Sequence, residues 1–141
     1  MNRKSFLKTT ALALAGIAIG PVAFIESCAK SGSSPQGPTV NFTLDLSSAV
    51  NAPLNNISGY VYSNGVIVTR ISTADLGFVA LAQTCTHQEC TIAYDPNTLN
   101  FVCPCHGGTY DLNGNVTGGP PPAPVKTYAI TRNNNILTIK G

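Results

Sequence analysis

The sequence predicts an all-β domain of short antiparallel strands. Charged residues make up only 10% of the 141-residue chain, Gly (13) and Pro (10) are abundant and Trp is absent. That composition favours strands and turns over helices. Short apolar runs recur with turn signals between them, and no segment carries a long helical period or an internal repeat.

The elements follow in order. Residues 40–46 alternate as Val-Asn-Phe-Thr-Leu-Asp-Leu, the pattern of a half-buried strand. Residues 59–62 and 66–71 flank Ser63-Asn64-Gly65, and Asn-Gly between apolar runs is a strong hairpin signal. Only residues 72–76 hint at a helical turn. Residues 78–83 are apolar and lead directly into a cysteine-bearing loop. Residues 91–94 and 99–102 flank the turn Asp95-Pro96-Asn97, and residues 126–131 and 136–140 flank the Asn-rich turn 132–135. Asp111-Leu112-Asn113-Gly114 closes a further hairpin.

The N-terminal stretch is unlike the rest. Residues 1–27 read as an export signal, with a basic start (Arg3, Lys4, Lys8) and an apolar run from Thr9 to Ile25. The run is short for a bilayer span, which needs about 20 apolar residues, and Gly20-Pro21 interrupts it. Arg3-Lys4-Ser5-Phe6-Leu7-Lys8 resembles the twin-arginine export motif, with Lys in place of the second Arg. Ile25-Glu26-Ser27-Cys28 resembles a lipobox, which makes Cys28 the candidate for lipidation and membrane anchoring. Residues 28–38, rich in Ser, Gly and Pro, read as a flexible tether, and the folded domain is expected over residues 39–141.

The formal net charge of +2 belongs to the leader. From Cys28 onward, Lys30, Arg70, Lys126, Arg132 and Lys140 balance Asp45, Asp75, Glu89, Asp95 and Asp111. No basic cluster of the kind a nucleic-acid partner requires is present.

Chemistry concentrates in two loops. The first reads Cys85-Thr86-His87-Gln88-Glu89-Cys90 and the second Cys103-Pro104-Cys105-His106-Gly107-Gly108-Thr109-Tyr110. They hold both histidines of the chain and four of its five cysteines. Thiolate and imidazole are metal ligands, so the two loops read as a metal site. Zinc is one reading of such a site, because two Cys and two His form a structural zinc set. Zinc sites, however, more often pair Cys with Cys and His with His at short spacing.

The pattern C-x-H, fifteen residues, then C-x-x-H resembles the Rieske family. Cys90 and Cys105 match the disulfide-bearing branch found in cytochrome bc complexes. The resemblance implies a Rieske-type antiparallel β-sandwich with two cluster-binding loops. It implies one [2Fe–2S] cluster held by Cys85 and Cys103 on the inner iron and by His87 and His106 on the outer iron. Replacing two thiolates by neutral imidazoles removes negative charge and lifts the potential into roughly −150 to +300 mV. It further implies a Cys90–Cys105 disulfide joining the loops, which persists only outside the reducing cytoplasm. A twin-arginine leader agrees with that, since the route moves folded, cofactor-loaded cargo.

Around these ligands, Gly118-Gly119-Pro120-Pro121-Pro122-Ala123-Pro124 resembles the family's proline loop, longer by a couple of residues, and Pro120 is assigned to the cover of the cluster. Tyr110 matches a tyrosine that bonds the sulfur of Cys85. Gly108 stands where high-potential members often carry Ser, and Glu89 adds negative charge nearby. Both departures disfavour the reduced cluster and predict a lower potential.

The expected function is transfer of single electrons at the outer face of a membrane, linked to a quinol-oxidising cytochrome bc-type chain. Partners would be of cytochrome b or cytochrome c type, with quinol as the electron source. The alternatives are the small Rieske subunit of an exported oxidoreductase such as arsenite oxidase, bound to its large subunit, and a zinc-stabilised non-redox binding module. No nucleophile–base pair is visible, so the chain reads as an electron-transfer component rather than an enzyme by itself.

Overall fold

The computed structural model describes residues 34–141; the leader and Cys28 lie outside the described residues. Ten short strands follow in chain order: β1 (Asn41–Asp45), β2 (Tyr60–Ser63), β3 (Val66–Arg70), β4 (Phe78–Ala82), β5 (Ala93–Asp95), β6 (Asn100–Val102), β7 (Thr109–Tyr110), β8 (Val116–Gly118), β9 (Ala129–Asn133) and β10 (Ile136–Lys140). They form three small antiparallel sheets, ordered β1-β10-β9, β2-β3-β4 and β5-β6-β7-β8. The all-β antiparallel reading therefore stands.

The predicted turns close the predicted hairpins. Ser63 pairs with Val66 across Asn64-Gly65, and Asn133 pairs with Ile136 across Asn134-Asn135. In the β5–β6 turn the Asp95 carboxylate accepts hydrogen bonds from the Asn97 N–H (3.0 Å) and the Thr98 hydroxyl (2.9 Å). This is the local bonding that makes Asp a turn former. Strand β3 is buried over Val66–Thr69 on both faces, which is why it reads as an unbroken apolar run.

Two local readings change. Residues 72–76 make only a turn, closed by Gly77 N–H to the Ala74 carbonyl at 2.9 Å. Among the described residues the one short helix is a 3-10 segment at Ala49–Asn55, with Pro53 inside it and Leu54 buried beneath. Its seven residues are too few to show a helical period in sequence. Asn51 and Asn55 hold it by donating side-chain bonds to the Asp45 and Leu46 carbonyls (2.9 and 3.0 Å).

One core serves all three sheets. Leu44, Leu137 and Ile139 from the first meet Val66, Val68 and Leu81 from the second and Tyr94, Phe101 and Tyr110 from the third. Each large apolar side chain so buried contributes about 1.5–3 kcal/mol. The Arg132–Asp75 ion pair, at 3.0 Å with its carboxylate 80% exposed, is worth about 0–1 kcal/mol. Packing, not surface charge, holds the frame.

The segment entering β9 lies along β4. Ala82 N–H donates to the Lys126 carbonyl (2.8 Å) and Tyr128 N–H to that of Ala80 (3.0 Å). This sets the proline-rich loop beside the first cysteine loop, which begins where β4 ends.

The segment 28–38, read as flexible, is not free at its end. Gln36 pairs in parallel with Val125: Gln36 N–H donates to Pro124 O (3.0 Å) and Lys126 N–H to Gln36 O (2.8 Å). The Tyr128 hydroxyl donates to Pro38 O at 2.8 Å. Pro35 and Pro38 favour an extended backbone, and extended backbone beside an open edge pairs with it. The ordered domain thus includes Gln36–Pro38. Among the described residues no helix is long and apolar enough to cross a membrane.

Candidate metal centre

The two cysteine loops share one backbone design. In the first, Cys85 N–H donates to Cys90 O (2.8 Å) and Glu89 N–H to Cys85 O (3.0 Å). In the second, Cys103 N–H donates to Gly108 O (2.7 Å) and Gly107 N–H to Cys103 O (3.0 Å). The residue four after each leading cysteine takes a left-handed conformation, Glu89 at φ 57° and Gly107 at φ 71°. Each loop therefore curls around the sulfur of its leading cysteine. Histidine and bridging cysteine exchange places between them: His87 then Cys90 in the first, Cys105 then His106 in the second.

The curl turns the leading cysteines inward and the histidines outward. Cys85 and Cys103 are buried, at 1% and 2% exposure, and their thiols are in side-chain contact. His87 and His106 are exposed, with ring centroids 4.8 Å apart and planes at 86°. Cys90 and Cys105 form a disulfide with Cα atoms 6.4 Å apart. Cys90, Cys103 and Cys105 sulfurs lie within 4.8 Å of one another. Two of those sulfurs are bonded to each other, so their grouping marks the staple lying against Cys103 and not a thiolate triad. Among the described residues only Cys85 and Cys103 remain as thiols.

The surroundings make the two thiols unequal. Burial pushes Cys85 up, but bonds from the Tyr110 hydroxyl, the His87 N–H, Cys103 and the Gln88 N–H outweigh it and hold Cys85 below an ordinary thiol. Burial raises Cys103, and the neighbouring Cys85 raises it further. Tyr110 is raised by burial and then by its bond to Cys85. Two adjacent buried thiols, with inward N–H groups and the Tyr110 hydroxyl behind Cys85 and two imidazoles on the open side, suit a cluster with one inner and one outer metal.

Tyr110 is fully buried on β7, with its hydroxyl 3.3 Å from Cys85 Sγ. The Thr86 N–H donates to that hydroxyl at 3.0 Å. The proline-rich loop closes over the second cysteine loop by backbone approach. A Cβ on Gly119 would stand 2.7 Å from Gly108 Cα and 2.9 Å from Gly107 O. A Cβ on Gly108 would stand 2.4 Å from Pro121 Cγ. Pro121 is buried there, while Pro120, the residue assigned to the cover, is exposed. Sequence order alone does not say which of three successive prolines turns inward.

Thr86 and Ala123 carry no chemical signal in the sequence. Thr86 donates from its hydroxyl to Ala123 O at 2.7 Å and so ties the first cysteine loop to the proline-rich loop. In the sequence only its place between Cys85 and His87 marks it. A cavity of about 450 Å³ opens beside these residues, lined by Gln36, Thr84, Cys85, Glu89 and Pro122.

The sequence profile of the Rieske [2Fe–2S] domain matches residues 47–129. The cytochrome b6-f complex iron-sulfur subunit of Prochlorococcus marinus (strain MIT 9515) is 35% identical over 69 residues, covering 49% of this chain and 39% of that protein. Subunit 1 of the same name from Synechocystis sp. (strain ATCC 27184 / PCC 6803 / Kazusa) is 41% identical over 55 residues, 39% of this chain and 31% of that protein. This chain thus spans well under two thirds of the curated relatives it matches. A chain of a hyperthermophilic respiratory Complex III superposes with a TM-score of 0.51 at 26% identity, over 67% of this chain and 71% of that one. With the profile spanning both cysteine loops, the chain belongs to the Rieske [2Fe–2S] domain family.

Proposed function

We propose that Cys85, His87, Cys103 and His106 hold the [2Fe–2S] cluster and that the chain carries single electrons in a cytochrome bc-type chain. The carrying observation is the pair of matched loops: two buried thiols face inward, two imidazoles face solvent, and a disulfide joins the other cysteine of each loop. The cluster supplies reversible one-electron chemistry. The protein's own part is to bury the sulfurs, donate hydrogen bonds to them and present the imidazole edges, the shortest route for an electron to a docked partner. The named relatives from cytochrome b6-f complexes support redox partners of cytochrome b or cytochrome c type, with quinol as the electron source.

The export reading belongs to the same proposal. Residues 1–27 direct the chain outward and Cys28 carries the lipid, leaving the Rieske domain, with Gln36–Pro38 packed on it, on the outer face of the membrane. The Cys90–Cys105 disulfide supports an oxidising compartment. A small subunit of an exported oxidoreductase uses the same centre, and co-purification with cytochrome b or with a molybdopterin subunit separates the two.

The test is low-temperature EPR of the dithionite-reduced full chain, with iron and acid-labile sulfide counted on the same sample. The expected result is a rhombic signal with two irons and two sulfides, lost in Cys85→Ser and Cys103→Ser. A silent sample holding zinc and no sulfide would overturn the proposal in favour of a zinc-stabilised binding module.

A further inference from the structure

We propose that Thr86 sets the electron affinity of the centre by competing with Cys85 for the single hydrogen of the Tyr110 hydroxyl. The inference rests on the reading of Cys85 as a cluster ligand.

Hydrogen counting carries it. The Tyr110 hydroxyl has three neighbours: the Thr86 N–H at 3.0 Å, the Thr86 hydroxyl at 3.1 Å and Cys85 Sγ at 3.3 Å. The N–H can only donate, so the tyrosine oxygen accepts there. The Thr86 hydroxyl lies 2.7 Å from Ala123 O, and a carbonyl can only accept, so the threonine hydrogen is committed to Ala123. Towards Tyr110, Thr86 Oγ1 is therefore an acceptor. A ligand thiolate is an acceptor too. One phenolic hydrogen faces two acceptors, and Tyr110 is fully buried, so no solvent hydrogen makes up the shortfall.

The contest has a direction. A hydrogen bond to a cluster sulfur stabilises the reduced, more negative state. Whatever share Thr86 Oγ1 takes is withdrawn from Cys85 Sγ, and the potential falls. The contest is also wired to the proline-rich loop. If the Ala123 carbonyl moves away, the Thr86 hydroxyl is released to donate to Tyr110, and the phenolic hydrogen turns wholly to the sulfur. Thr86 is thus a positioning residue that acts through Tyr110.

A double-mutant cycle tests this on the holo full chain, with the midpoint read by protein-film voltammetry and the ligand set by EPR. Thr86→Val keeps the shape and removes the competing oxygen, and its midpoint should rise. The loss or gain of one net hydrogen bond sets the ceiling at about tenfold in the redox equilibrium, ~59 mV for one electron. Thr86→Ser retains both bonds and should keep the wild-type midpoint. In a Tyr110→Phe background the Thr86→Val step should produce no shift.

An unchanged or lowered midpoint in Thr86→Val overturns the proposal. So does an equal rise in both backgrounds, which would mean that the loosened loop admits water and that Tyr110 is not involved. These outcomes presuppose a normal rhombic signal in the parent. Its absence would bring down the cluster reading itself, which is a distinguishable failure.

Discussion

Gly108 should not accept a side chain unless Pro121 gives way. A Cβ built on Gly108 would lie 2.4 Å from Pro121 Cγ and 2.8 Å from its Cδ, with Cys103 Cβ at 3.6 Å behind it. Ordinary contacts between such carbons lie at about 3.5–4.0 Å, so Gly108→Ser needs the ring to retreat by roughly an ångström. Overpacking of this kind costs about 1–3 kcal/mol. At about 4–8 °C per kcal/mol for a domain of this size, the melting temperature should fall by several degrees at least. Pro121→Ala removes Cγ and Cδ and opens the space. In that background the same serine should cost little, leaving a coupling of about 1–3 kcal/mol between the two sites. Scanning calorimetry of the four oxidised holo variants measures it. A Gly108→Ser protein as stable as its parent, or additive losses in the double variant, would refute the close approach. The cycle also bears on the potential: a serine hydroxyl can reach the cluster only once Pro121 has yielded. The rise in midpoint expected from that hydroxyl should therefore be larger in the Pro121→Ala background.

Two further outcomes are expected. Removing the staple with Cys90→Ala/Cys105→Ala frees a loop of 15 residues, which the chain-entropy account values at about 3 kcal/mol; urea unfolding with no loss beyond 0.5 kcal/mol would contradict it. Burial raises the Asp111 carboxyl, but bonds from the Asn115 side chain and from the Asn115 and Asn113 N–H groups outweigh that and hold it below the usual aspartate range. Its folded pKa is thus depressed, so its contribution is complete above the unfolded value of about 3.9 and is lost as pH falls through the folded one. Asp111→Asn should flatten the acid limb of stability against pH below the ordinary aspartate value of about 3.9; urea midpoints that run parallel in the two proteins would refute this.

Much of the frame was legible because it depends on local chemistry. Alternating apolar residues at 40–46, Asn64-Gly65 and Asp95-Pro96-Asn97 each specify a strand or turn within a few residues. Eight of the ten strands coincide with apolar runs read in this way. The other two, β7 and β8, have only two and three residues and show no apolar run: the sequence marks only the turn between them at Asp111–Gly114, and the strands exist because β6 offers β7 an edge and β7 offers one to β8. Gln36 likewise looked like tether, and becomes structure only because Val125 lies alongside. The leading cysteines of the two loops were visible as residues, yet nothing in their order shows that both loops fold by one hydrogen-bond scheme.

The sequence by itself determined the all-β class, the hairpin turns, the two cysteine loops and the family, because each rests on residue type and short spacing. Tertiary structure alone decided which proline enters beside Gly108, which segment straps the proline-rich loop, and how one phenolic hydrogen comes to face two acceptors. Those outcomes depend on distances between loops far apart in the chain, where a shift of an ångström turns a hydrogen bond into a gap or a contact into a clash. Composition and spacing carry no record of such distances; the shared core that positions the loops sets them.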